Sequence, residues 1–126
     1  MTDRVAVLLG RARQEVGAAR ALAVAGFELQ SVSRAYFGVF YAAEAALVSL
    51  AETRSKHSAV IAAFGRLVVK QGGMNPDTAA TLRRLFELRN AADYDWLDVD
   101  QGEAARSISA AEEFIDAVAA WIDQHP

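Results

Sequence analysis

The 126-residue sequence predicts an all-α protein, an up-and-down helical bundle of about five helices forming one domain over residues 1–126. Three observations predict it. Apolar residues recur at spacings of three and four through every long segment, and no stretch of useful length alternates with period two. Turn signals fall between those segments: Gly26, the pair Gly72 and Gly73, and Asn75 followed by Pro76. The length suits a single domain that buries its own core, and no linker, internal repeat or low-complexity tract divides it.

The first helix is predicted from about Asp3 to Ala25, with Val5, Leu8, Leu9, Ala12, Val16, Ala19 and Leu22 inward and Gly26 ending it. The second, from about Leu29 to Ala51, is the most apolar. Its run "SRAYFGVFYAAEAALVSL" carries apolar or aromatic groups on nearly every side, so it is either the central helix or faces a partner with the side that cannot reach the core. A homodimer through helices two and four follows from that. The third helix starts at "SKHS", where Ser55 can cap and His57 lies in the first turn; Val60, Ala63, Phe64, Leu67 and Val68 face inward until the two glycines stop it. In "NPDTAATL", Asn75 is the cap and Pro76 the first residue of a fourth helix that buries Leu82, Leu85 and Phe86. The fifth follows an acidic link, Asp95 to Asp100, with Ile108, Ala111, Phe114, Ile115, Val118, Trp121 and Ile122 as its buried stripe.

The chain has no Cys, which excludes a disulfide framework and any thiolate metal site, and its N-terminus lacks the pattern of a cleaved leader. A cytoplasmic location is expected. No membrane span is expected either: Glu44 interrupts the longest apolar run, Ala35 to Leu50, well short of the roughly 20 residues a bilayer needs. The net charge of -3 is unevenly distributed, residues 1–84 having 11 Lys or Arg against 6 Asp or Glu, and residues 85–126 having 2 against 10. Pairing of acidic with basic segments across the fold leaves no extended basic surface, so charge alone does not announce nucleic-acid binding.

Chemistry concentrates in "LFELRNAADYDW". Continuing the apolar ladder of the fourth helix from Leu82 through Leu85 and Phe86 lands on Arg89 and then on Ala92 and Asp93, so the guanidinium starts from the inward stripe. Asp93, four residues on, can pair with it; Asn90 and Tyr94 share a second line. The cluster is either an ion pair that locks a helix end or a phosphate-binding site. Within the second helix, Arg34 and Glu44 each need a partner or a path to water; exposure is the simpler reading for Arg34. His57, beside Lys56 at a helix N-terminus, is either a solvated neighbour of the cap or part of an anion site. Only two His occur, and adjacent carboxylates such as Glu112 and Glu113 point apart on a helix, so no metal site and no cofactor is expected. "KQGGMN" lacks the Lys-Ser/Thr of a phosphate loop.

The segments "SRAYFGVFYAAEAAL", "SKHSAVIAAFGRLVVKQGG" and "LRRLFELRNAADYD", spanning about Ser31 to Asp95, resemble the HEPN superfamily (higher eukaryotes and prokaryotes nucleotide-binding), in its small prokaryotic single-domain branch. The resemblance implies an all-helical homodimer and a toxin-antitoxin context, the gene lying next to one for a minimal nucleotidyltransferase. Active HEPN ribonucleases use an Arg, four to six further residues, then a His, and cleave RNA without metal. Arg89 and its neighbour Asn90 match that motif, but Tyr94 stands where the His belongs. A phenol, with an ordinary pKa of about 10, is a poorer base at neutral pH than an imidazole near about 6.5. Trp96 stands where related toxins carry a Tyr that their partner modifies.

Two functional readings follow. In the first, a dimeric toxin-like module presents Arg89 and Tyr94 as candidate catalytic residues and Arg34, Lys56, His57, Arg89, Asn90 and Asp93 to RNA or a nucleotide; if active, it is a metal-independent endoribonuclease. In the second, the same cluster serves a non-catalytic binding or scaffolding subunit paired with a nucleotidyltransferase, and the absent motif His favours this one. A structural dimer without ligand is the third class.

Overall fold

The computed structural model describes residues 2–94 and 98–126, and among these it contains five α-helices, one π-helical segment and no strand. The helices are α1 (Asp3–Val24), α2 (Glu28–Ser49), α3 (His57–Phe64), α4 (Pro76–Tyr94) and α5 (Gln101–Gln124). The expected boundaries lie within one or two residues of these for α1 and α2, and α4 begins at Pro76 as expected. The readings made on Asp95 and Trp96 lie outside the described residues.

Thr2 opens α1, its hydroxyl accepting from the Val5 N–H at 3.2 Å, and Gly26 closes the connection at φ +88°, a conformation that costs Gly least. The inward stripe of α1 meets α2 at close range. A Cβ on Gly38 would lie 3.1 Å from Val16 and 3.2 Å from the Ala12 carbonyl, so the small residue permits the approach. The buried Ser31 hydroxyl donates to the Ala19 carbonyl at 2.7 Å and pins the two helices at one end.

Of the two places foreseen for α2, the structure assigns the central one: α1, α3, α4 and α5 all pack on it. Twelve of its residues are buried, from Ser31 to Leu47. Between Arg34 and Val48 the half-buried residues form a narrow line, Arg34, Phe37, Tyr41, Glu44 and Val48.

Two expectations about the third helix need correcting. Ser55 does not cap it; Lys56 occupies the cap position with extended backbone and no side-chain hydrogen bond. The helix also does not run evenly to the glycines, because Gly65–Lys70 widens into a π-helical segment. Its end is held from α5, where the Trp121 indole N–H donates to the Gly72 carbonyl at 2.8 Å.

Asn75 caps α4 as expected, its side-chain oxygen accepting from the Asp77 N–H at 2.8 Å, and Asp100 does the same for α5 through Glu103 at 2.8 Å. All seven residues foreseen for the inner stripe of α5 are buried. The uneven charge of the chain is partly neutralised between α1 and α5, where Arg13 pairs with Asp116 at 3.0 Å and Arg20 pairs with Glu112. These pairs are half-exposed and each adds at most about 1 kcal/mol. Among the described residues no helix is long and apolar enough to cross a membrane.

Candidate functional site

Three elements meet at one end of the bundle: the first half of α2, the N-terminus of α3 and the last turns of α4. Tyr36 is the pivot. A phenol on the inward face of a helix must find a hydrogen-bond partner once water is excluded. Tyr36 is 0% exposed, and its hydroxyl lies 2.7 Å from the His57 Nδ1, bridging α2 to α3. The His57 ring stacks on Phe40 with centroids 4.1 Å apart, and Phe86 from α4 packs against Tyr36 at 5.7 Å. His57 is therefore not the solvated neighbour of a cap; it is half-buried between aromatic rings.

Arg89 enters the same cluster from α4. Its guanidinium carbon is 5.6 Å from the Tyr36 ring centre and 5.2 Å from that of Phe37, within cation–π range of both. Its Nε donates to Asp93 at 3.1 Å, the i to i+4 pair foreseen from spacing, with the side chains 21% and 30% exposed. A guanidinium has five N–H donors. Only this one is taken by protein, and no buried side-chain nitrogen or oxygen lacks a partner, so among the described residues nothing covers the outer fork of Arg89. Arg34 approaches Phe37 as well, at 4.8 Å, and is not a free surface cation: Glu15 of α1 accepts from it at 2.9 Å.

Electrostatics follow from this packing. Burial pushes the Tyr36 phenol well above its ordinary range, with Arg89 opposing and Glu44 adding to the shift, so the hydroxyl keeps its proton. Burial also lowers the His57 imidazole, and the neighbouring Arg89 charge lowers it further, so the ring is held neutral. Glu44, of which either exposure or a buried pair was expected, is half-buried; burial raises its carboxyl against the opposing pull of Arg4 and Arg11.

Of the residues singled out from the sequence, Arg89, Asp93 and His57 come together, and Arg34 joins through Phe37. Lys56 is exposed immediately before His57. Asn90 is half-buried and Tyr94 is 71% exposed; among the described residues neither has a hydrogen bond or ring contact to the cluster. Sequence reasoning missed Tyr36, Phe37 and Phe40 as site residues. The available signal was a Tyr on the apolar side of α2, whose hydroxyl had to be answered by a polar group from another helix.

Clefts of about 410 and 580 Å³ lie elsewhere, the first lined by Phe64, Pro76 and Arg83, the second by Arg20, Val24 and Glu112. Among the described residues no group of three His, Cys, Asp or Glu is placed to hold a metal ion. What the cluster offers is a cation fixed on aromatic rings with its outer donors uncovered among the described residues, suited to an oxyanion such as phosphate.

A family model, the HEPN domain, matches residues 5–121. A protein of Thermotoga maritima designated "UPF0332 protein" is 35% identical over 94 residues, covering 74% of this chain and 71% of that one. A UPF0332 protein of Gloeobacter violaceus is also 35% identical over 94 residues, covering 75% of each. "Putative toxin MJ0605" of Methanocaldococcus jannaschii is 28% identical over 116 residues, 92% of this chain and 87% of that protein.

Proposed function

The chain belongs to the HEPN domain family, and from that membership we propose that it is the toxin-like, RNA- or nucleotide-binding component of a prokaryotic two-component system whose other member is a nucleotidyltransferase. The observation that carries this reading is the Arg89 guanidinium, anchored on Tyr36 and Phe37 with one donor on Asp93 and its outer fork uncovered among the described residues. A cation needed only to close a helix would satisfy itself within the protein. Similarity to a protein named as a toxin supports the toxin-like setting.

Binding fits the residues better than cleavage. HEPN ribonucleases place a His after the motif Arg, and this chain has Tyr94 there, turned outward and 71% exposed. The protein acts as a homodimer, its contact drawn from the half-buried line of α2 with Phe37 and Tyr41 and from α4 near the Arg89 cluster. Fluorescence-anisotropy titration of wild type and Arg89→Ala with a labelled short RNA and with labelled ATP tests the function. Wild type binds at least one of them, and the variant loses tenfold or more, the worth of a charge-assisted hydrogen bond of about 1.5–3 kcal/mol. Absence of binding by wild type to both ligands overturns it.

A further inference from the structure

The pairing of Tyr36 with His57 settles more than packing. A neutral imidazole carries one N–H and one lone pair, and which nitrogen holds the proton depends on the partner of the other. Tyr36 is fully buried, and among the described residues the His57 Nδ1 is the sole acceptor in reach of its hydroxyl. The hydroxyl therefore donates, the Nδ1 lone pair accepts, and the ring proton sits on Nε2. No protein group takes that Nε2–H, and no buried side-chain nitrogen is left without a partner, so among the described residues Nε2 is open to solvent.

We infer that His57 is the second donor of the Arg89 site: locked by Tyr36 with its proton on Nε2, it hydrogen-bonds an oxygen of the same phosphate group and transfers no proton. This rests on the reading of the Arg89 cluster as a phosphate site. The two donors share a platform. His57 lies 5.7 Å from the Tyr36 ring centre and 6.0 Å from that of Phe37, and the Arg89 guanidinium carbon lies 5.6 and 5.2 Å from the same two rings. The ligand class is a phosphate ester, either an RNA backbone phosphodiester or the phosphate chain of a nucleotide.

Proton transfer is excluded by the same geometry. As a base, His57 has no lone pair facing water, because Nδ1 is occupied and Nε2 is protonated. As an acid, release of the Nε2 proton requires Nδ1 to take the Tyr36 proton, which strands a phenolate in a buried site. Charging the ring instead puts a hydrogen on Nδ1 and leaves the buried Tyr36 O–H without an acceptor. Tyr36 is thus a positioning residue, and His57 touches the ligand.

The test combines nitrogen-15 NMR of the His57 ring with anisotropy titrations at pH 7.5, using a labelled short single-stranded RNA and labelled ATP as separate arms. The variants are Tyr36→Phe, His57→Gln, His57→Ala and Arg89→Ala. Gln rescues in principle, since its carbonyl accepts from Tyr36 while its amide donates outward. The expected result is a protonated Nε2 and bare Nδ1 in wild type, a tautomer mixture in Tyr36→Phe, binding retained within about threefold in His57→Gln, and a loss of roughly tenfold in His57→Ala. The arm that shows this pattern identifies the source of the phosphate. A proton on Nδ1 in wild type overturns the inference. So does wild-type affinity in His57→Ala alongside lost binding in Arg89→Ala, which leaves the phosphate site at Arg89 standing. No binding of wild type to either ligand overturns both.

Discussion

Removing Arg89 should weaken ligand binding while removing Asp93 does not, and the two should have unequal effects on stability. The pair is an i to i+4 contact at 3.1 Å with side chains 30% and 21% exposed, so solvent screens it. Asp93→Ala loses a partly exposed ion pair worth about 0.5–1 kcal/mol, and Arg89 keeps its aromatic platform and its access to water. Arg89→Ala loses the same pair plus its seat on Tyr36 and Phe37, about 0.5–1 kcal/mol for each ring, for a total near about 2 kcal/mol. For a domain of this size 1 kcal/mol corresponds to roughly 4 °C, so the melting points should fall by about 2–4 °C and about 8 °C respectively. Binding separates them further. Asp93 competes with a phosphate for the guanidinium, so its removal leaves RNA or nucleotide affinity unchanged or raises it a few-fold, while Arg89→Ala lowers it tenfold or more. Thermal melts and anisotropy titrations on both variants and the double variant provide the measurement, the cycle isolating the coupling between the two residues. The reasoning is refuted if each single variant melts about 12 °C or more below wild type, the drop for a buried pair worth about 3 kcal/mol, and wild type binds neither ligand.

Acidification should weaken the fold through His57. Its folded-state affinity for a proton is lowered by burial and by Arg89, so the stability it contributes is complete above the ordinary imidazole value of about 6.5 and is lost as pH falls through the lower folded value. Urea melts of wild type should therefore decline between about pH 7 and 5 more steeply than those of His57→Gln, and parallel curves would contradict it; the difference cancels Glu44, whose raised carboxyl acts in the opposite sense. Gly72→Ala should destabilise by about 1–3 kcal/mol, since its Cβ would sit 2.6 Å from both the Trp121 ring and the Val68 carbonyl; an unchanged denaturation midpoint would show that the end of the π-helical segment yields freely. Ala51→Gly should stabilise by about 1 kcal/mol, because Ala51 occupies φ 60° just after α2, a left-handed conformation that a Cβ disfavours; a lower melting temperature than wild type would count against that.

What the sequence determined by itself is whatever depends on neighbours a few residues apart. The stripes of α1 and α5, the Asn75 cap followed by Pro76, the stop at Gly26 and the Arg89–Asp93 pair all follow from helical periodicity and local hydrogen bonding, and the structure contains each of them. The HEPN resemblance was legible because its motif residues lie in short contiguous runs. Tertiary structure decided the rest. Tyr36 and His57 are 21 positions apart, and Arg34 and Glu15 are 19 apart, on different helices in both cases. Which side chains face each other across such a distance depends on the rotation and crossing of each helix, and those come from packing the whole core at once. The widening at Gly65–Lys70 was not legible either, because its apolar residues keep a spacing that an ordinary helix shares. Spacing therefore put Arg89 on the inward stripe, and only the fold placed the rings of Tyr36 and Phe37 beneath it, with the His57 imidazole beside them.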